Sequence, residues 1–220
     1  MEPLTILCGN VGWKWDDVWV RRLQGMVGRY CGEPYRFLCV SDHHIDGVDT
    51  ISPSREIDLD SDKPQGCWVK LDYFKREVSG DGPCIALDLD VTIVGDLSSL
   101  KRETLHGVQD PRNPRQVPYL NSSVLSWTPS KETDKIYTAK IPYEEYPRGD
   151  QEYIADHYPA YKILPDCYSY KGHVKGSKDV LPDNAKVIFF HGMPTPASKY
   201  PLTHLWNAQS WKGLTPIERL

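Results

Sequence analysis

The chain predicts an α/β fold: one domain spanning residues 1–220, with a mixed central sheet flanked by helices. Three observations predict it. The opening stretch reads strand–helix–strand, the order that builds a parallel sheet with a helical crossover. A later apolar run, Cys84-Ile85-Ala86-Leu87, has the character of a strand buried on both faces and ends on two acids, Asp88 and Asp90. The length of 220 residues, with 40% apolar and 25% charged side chains, suits one domain with a sizeable core.

Taken in order, residues 4–8 are a short apolar strand that gives way to Gly9-Asn10 and Gly12, a loop signal. Trp19, Leu23, Met26, Val27 and Tyr30 recur at helical spacing. Asp16 or Asp17 suits the start of that helix and Gly32 its stop. Residues 35–40 form the second strand, closing on Ser41-Asp42. Residues 46–64 are polar, with a short strand near 48–51. Residues 67–78 predict a second helix, with Trp68, Leu71, Phe74 and Val78 on one side, and Ser79-Gly80-Asp81-Gly82-Pro83 is a turn. Further strands are expected at 84–87, 105–109, 120–127 and 186–190, and helices at 130–140 and 150–157. Residues 112–118, with Pro111, Pro114 and Pro118 at or near their ends, read as a mobile loop.

Composition narrows the function classes. The net charge is −4 and no basic block stands out, so nucleic acid is not favoured as a partner. None of the six cysteines forms a C-x-x-C pair, and several sit inside apolar runs, which reads as buried free thiols in a reducing compartment. The N-terminus lacks a basic, apolar leader, and no run approaches the roughly 18 apolar residues of a membrane span. A cytoplasmic protein is expected.

The chemistry centres on Asp88-Leu89-Asp90. Carboxylates at the end of a buried strand are costly unless partnered. Two of them one residue apart can share a divalent cation such as Mn²⁺ or Mg²⁺, with substrate phosphates completing its shell. The carboxyl edge of a parallel sheet is also where open α/β folds bind ligands. Acids at strand ends also cap helices, so the pattern alone leaves both readings open.

Several separated segments, in order, carry a resemblance. They are Cys8-Gly9-Asn10-Val11, Cys39-Val40-Ser41-Asp42, residues 68–74 (Trp-Val-Lys-Leu-Asp-Tyr-Phe), residues 86–97 around the paired acids, Asn121-Ser122-Ser123-Val124, Gly149-Asp150-Gln151-Glu152 and Phe190-His191-Gly192. Together the chain resembles the GT-A glycosyltransferases, family 8 and its bacterial and phage relatives in particular. The resemblance implies a GT-A-like (Rossmann-like) domain and a metal-dependent transfer of a sugar from a nucleotide-sugar, UDP-linked by similarity, to an acceptor hydroxyl. The acceptor class stays open: a glycan, a lipid-linked sugar, a protein or a modified nucleobase.

By that resemblance Asp88, Asp90 and His191 hold the metal. Cys8, Gly9, Asn10 and Val11 line the donor nucleotide, with Leu89 between the acids. Asp42 touches the base or caps a turn. Lys70 reaches ribose or phosphate, or is a snorkelling surface lysine. Asn121 and Gln151 hydrogen-bond sugar hydroxyls, and Asp150 orients the donor sugar, acts on the acceptor or caps its helix. Two departures stand out. Ser123 replaces the family's usual Gly, and the terminal Lys-Pro-Trp is missing, leaving Lys199 as the stand-in for its phosphate-binding lysine. The loop His43 and His44 carry no assignment. A nucleotidyltransferase would be expected to carry a more basic glycine loop than residues 9–14, which hold one lysine. A non-catalytic nucleotide-sugar-binding protein on the same fold is the other alternative.

Overall fold

In a computed structural model, which describes residues 2–54, 66–110, 119–140, 144–147, 149–174 and 181–190, the first strand, β1 (Leu4–Asn10), pairs in parallel with β2 (Tyr35–Ser41) on one side and β4 (Cys84–Leu87) on the other. β2 carries the short β3 (Asp49–Ile51) on its outer edge. Beyond β4 lies β7 (Leu120–Trp127), antiparallel to it, then β6 (His106–Gln109), antiparallel to β7, then β8 (Lys162–Ile163), parallel to β6. The seven-stranded sheet is thus mixed, with β7 the single reversed strand. A second sheet of three strands orders β5 (Thr92–Ile93), β10 (Val187–Phe189) and β9 (Cys167–Ser169).

The strand side chains alternate into two cores, as a period of two requires when both faces are covered. On one face Ile6, Cys8, Phe37, Cys39, Ile85 and Leu87 meet Val20, Leu23, Met26 and Val27 of α1 (Asp17–Tyr30). On the other face Leu7, Leu38, Val40, Cys84 and Ala86 meet Trp68, Val69, Leu71, Tyr73 and Phe74 from a 3-10 helix at Gly66–Phe74. Tyr153 and Ile154 of α4 (Asp150–His157) extend that second core.

Three expectations need correcting. β1 continues through Gly9 to Asn10, because its ladder with β2 runs on to the Asn10–Ser41 pair. Residues 67–78 are not one α-helix. The 3-10 turns end at Phe74, Lys75 is extended (φ −79°, ψ 136°), and only the four-residue α2 (Arg76–Ser79) follows. Six of the nine residues in the 3-10 segment are buried, so tertiary packing on the sheet, rather than one amphipathic stripe, sets its winding. Residues 130–140 likewise give only α3 (Lys131–Asp134), which opens on a reciprocal Ser130–Thr133 cap. The mobile loop expected at 112–118 lies outside the described residues. None of the six cysteines is in a disulfide, and four of them are buried. No helix among the described residues is long and apolar enough to cross a membrane.

Gly9 sets how closely the 3-10 segment approaches β1. A Cβ there would stand 2.6 Å from Val69 Cγ1 and 2.8 Å from Tyr73 Oη, both on buried side chains. Gly9→Ala is therefore expected to destabilise the protein by about 1–3 kcal/mol, the usual cost of overpacking. Urea denaturation measures it, and an unchanged midpoint would show that the segment yields freely.

Candidate functional site

The carboxyl ends of β1, β2, β4 and β6 share one edge of the sheet, and reversed β7 begins there. That topology gathers residues far apart in sequence. Asn10 ends β1, and Asp42 follows β2. Asp88, Leu89 and Asp90 follow β4, and Asn121, Ser122 and Ser123 open β7. The backbone locks two of these pieces together: the Asp88 N–H donates to Ser123 O at 2.9 Å.

Lys70, from the 3-10 segment, is the hub. Its ammonium lies 2.6 Å from Asp88 Oδ1 and 3.8 Å from Asp150 Oδ2, and donates to Ser122 Oγ at 3.0 Å and Ser122 O at 3.2 Å. It is no snorkelling surface lysine: its side chain is 12% exposed, and Asp150 is 6% exposed. Burial alone would lower the lysine pKa, but the charges of Asp88 and Asp150 more than reverse this and hold it above the ordinary value. Ser122 Oγ donates to Asp150 Oδ2 at 2.5 Å. Burial raises the Asp150 pKa, opposed by Lys70 and the Ser122 bond. Neighbouring Gln151 accepts from Asn121 Nδ2 at 3.4 Å, while Asn121 Oδ1 accepts from the Ser123 N–H at 2.9 Å. So Asp88, Lys70, Ser122, Asp150, Asn121 and Gln151 form one polar network at the sheet edge.

α4 presents Asp150 and Gln151 because Gly149 turns the chain in a left-handed conformation (φ +85°) just before it. A Cβ at Gly149 would also sit 3.2 Å from Cys67 Sγ. The thiol pKa of Cys67 is pushed up to about 12, by burial first and then by the Asp150 charge.

Asp90 stands two residues beyond Asp88 in the segment that follows β4. Burial first, then the charge of Asp88, pushes its carboxyl up to about 7, with Lys14 and Lys70 pulling the other way. Two hard carboxylates that repel one another, one of them held reluctant to ionise, are a donor set that a divalent cation would satisfy. Asp88 and Asp90 are the residues here that could hold a divalent cation. No cluster of three metal-binding side chains occurs among the described residues. The expected third ligand, His191, and the stand-in phosphate lysine, Lys199, lie outside them.

Asn10 is fully buried at the end of β1, and among the described residues neither its amide nitrogen nor its amide oxygen has a hydrogen-bond partner. Such a group is expensive unless something hydrogen-bonds it. Cys8 and Gly9 are committed to the two cores, Cys8 through its side chain and Gly9 through its close packing against the 3-10 segment. Val11, partly buried, packs against the second core. Asp42 uses Oδ2 to accept from the Gly12 N–H at 2.8 Å and Oδ1 to meet His43, so it anchors the loop after β1.

Sequence reasoning passed over Ser122, His43 and Asp110. Asp110 follows β6 at the same edge and is fully buried. Its strand, His-Gly-Val-Gln, is not an apolar run like β4, so no local pattern marked this acid.

Solved structures of glycosyltransferases superpose on the chain. The galactosyltransferase LgtC, in complex with donor and acceptor sugar analogues, matches with TM-score 0.66 and 13% identity over 97% of this chain and 98% of that one. The bifunctional glycosyltransferase WbbM matches at 0.65 and 10% identity over 98% of this chain and 50% of that one. The glycosyltransferase GlyE of Streptococcus pneumoniae matches at 0.60 and 13% identity over 94% of this chain and 59% of that one. No protein-family model matches the chain, and no curated protein matches it by sequence. The fold is the GT-A glycosyltransferase fold.

Proposed function

We propose that the chain is a metal-dependent glycosyltransferase that moves a sugar from a nucleotide-sugar, UDP-linked by resemblance, to the hydroxyl of a glycan, lipid-linked sugar, protein or modified nucleobase. The observation that carries this reading is the convergence, on one edge of a GT-A fold, of the Asp88–Asp90 pair with the Lys70–Ser122–Asp150–Gln151–Asn121 network. In the reaction the bond between the sugar's anomeric carbon and the diphosphate oxygen breaks, and a bond to the acceptor oxygen forms. The acceptor proton leaves to a base.

Asp88 and Asp90, with His191 by resemblance, would hold Mn²⁺ or Mg²⁺, whose Lewis acidity neutralises the departing diphosphate. The chain's own residues do the rest. The orphaned amide of Asn10 hydrogen-bonds the nucleoside. Asn121 and Gln151 hold sugar hydroxyls in this reading, which the amide capacity left beyond the bonds Asn121 makes to Gln151 and to the Ser123 N–H supports. Lys70 holds Asp88 and Asp150 in place through its ion pairs at 2.6 and 3.8 Å, which is positioning rather than chemistry. The free cysteines accord with a cytoplasmic setting.

Calorimetric titration with UDP-glucose, UDP-galactose, GDP-mannose and their free nucleotides tests the reading, run with and without Mn²⁺. Metal-dependent binding of one nucleotide, lost in Asn10→Ala, is expected. Absence of binding by every nucleotide in the presence of metal would overturn it.

A further inference from the structure

His43 lies between two carboxylates. Its Nε2 is 2.8 Å from Asp17 Oδ1, at the first residue of α1, and its Nδ1 is 2.8 Å from Asp42 Oδ1. Asp42 in turn holds the Gly12 N–H through its other oxygen, at 2.8 Å. A neutral imidazole has one N–H, so one of its nitrogens would face a carboxylate lone pair to lone pair; only the imidazolium donates to both. The chain Asp17–His43–Asp42–Gly12 therefore joins three pieces: the start of α1, the end of β2 and the loop leaving β1. Gly12 stands two residues beyond Asn10, whose buried amide lacks a partner among the described residues.

We propose that His43, as an imidazolium, is a positioning residue for the donor nucleotide: it straps α1 to the loop after β1 and so fixes the strand end that carries Asn10. This rests on the donor-binding reading above. His43 touches no ligand in this scheme and acts through Asp42 and Gly12.

The strap has a pH signature. The charged groups facing the ring are Asp17 from α1 and Asp42 from its own loop, with the Ser41 hydroxyl 3.4 Å from Nδ1. His44 pairs with Asp46 further along that loop, and Arg21 of α1 donates to the Asp46 carbonyl. The bonds to Asp17 and then Asp42 hold the ring's pKa above its ordinary value, against a smaller effect of burial. A raised histidine pKa means that the strap is complete below the ordinary value of about 6.5 and is lost as pH rises through the higher folded value. The His43 side chain is 44% exposed and both acids are 33% exposed, so the pairs add little to global stability, and the effect falls on local geometry.

The test is the affinity of UDP and of GDP, each with Mg²⁺, between pH 6 and pH 9, for the wild type, His43→Ala and Asp17→Asn. Whichever nucleotide the wild type binds is the probe. At pH 6 both variants are expected to bind it roughly tenfold more weakly, the order of effect of a lost charged hydrogen bond. Wild-type affinity is expected to fall toward the variants as pH rises, while theirs changes less. Parallel pH profiles for wild type and variants would overturn the proposal while leaving the donor site standing. A wild type that binds neither nucleotide overturns the donor reading, and the positioning role with it. Asp17→Asn guards the result, because it removes the charge that holds the imidazolium at the far end of the strap without touching the loop.

Discussion

Asp90→Asn is expected to cut sugar transfer by about a thousandfold or more and, in metal-free protein, to raise the melting temperature. Neutralising a departing diphosphate through a bound cation is worth several kcal/mol, and each 1.36 kcal/mol is about a factor of ten in rate. The stability gain follows from the pKa. Burial and the Asp88 charge push Asp90 up to about 7. Between the ordinary carboxylate value and that raised one, the folded protein binds more protons than the unfolded chain, so rising pH destabilises it across that window. An asparagine carries no such penalty. The gain over wild type is therefore absent near pH 4, grows toward pH 7 and then levels off. Calorimetry in chelator over that range reads it, beside a transfer assay with Mn²⁺. Full transfer activity in the variant would remove Asp90 from the metal site; a lower melting temperature at neutral pH would mean its carboxylate is partnered in the free protein.

Lys70→Met is expected to be the most destabilising substitution in the network. Among the described residues it leaves buried Asp150 without its ion-pair partner and Asp88 without its 2.6 Å partner. Removing one member of a buried pair costs roughly 3–5 kcal/mol. For a chain of this size that lowers the melting temperature by on the order of 10 °C. The double variant Lys70→Met with Asp150→Asn should recover much of the loss, since the stranded charge is gone, while remaining inactive. A double-mutant cycle by thermal unfolding measures the coupling, and strict additivity would show that the two groups do not interact.

β1, β2 and β4 were legible in the sequence because they are largely buried on both faces and so appear as near-continuous apolar runs. β4 and its two acids were the clearest case, and α1 stood out by its period. The 3-10 segment was read as an α-helix because Trp68, Leu71, Phe74 and Val78 suit either winding; contact with Gly9 and the sheet decides, and no local pattern reports it. β5 and β8 have two residues each and make sense only through their pairing partners. In the site, Asp88, Asp90, Asn121, Asp150 and Gln151 could be named from ordered motifs. Lys70 could be named but not weighed, because its burial depends on β7 and α4 closing over it. His43 gave no signal, since its two acids stand 26 positions and one position away in sequence. Only the fold brings them to opposite sides of one ring.

The reversed strand β7 has a consequence for how the protein comes apart. All eight of its residues are buried, and it is laddered on both sides, to β4 and to β6. The outermost strands, β3 and β8, have three residues and two. Amides in such a central strand exchange with solvent only when the whole molecule opens, whereas short outer strands fray at little cost. Asn121, Ser122 and Ser123 thus belong to the last part of the molecule to open, so heat inactivation will coincide with global unfolding rather than precede it.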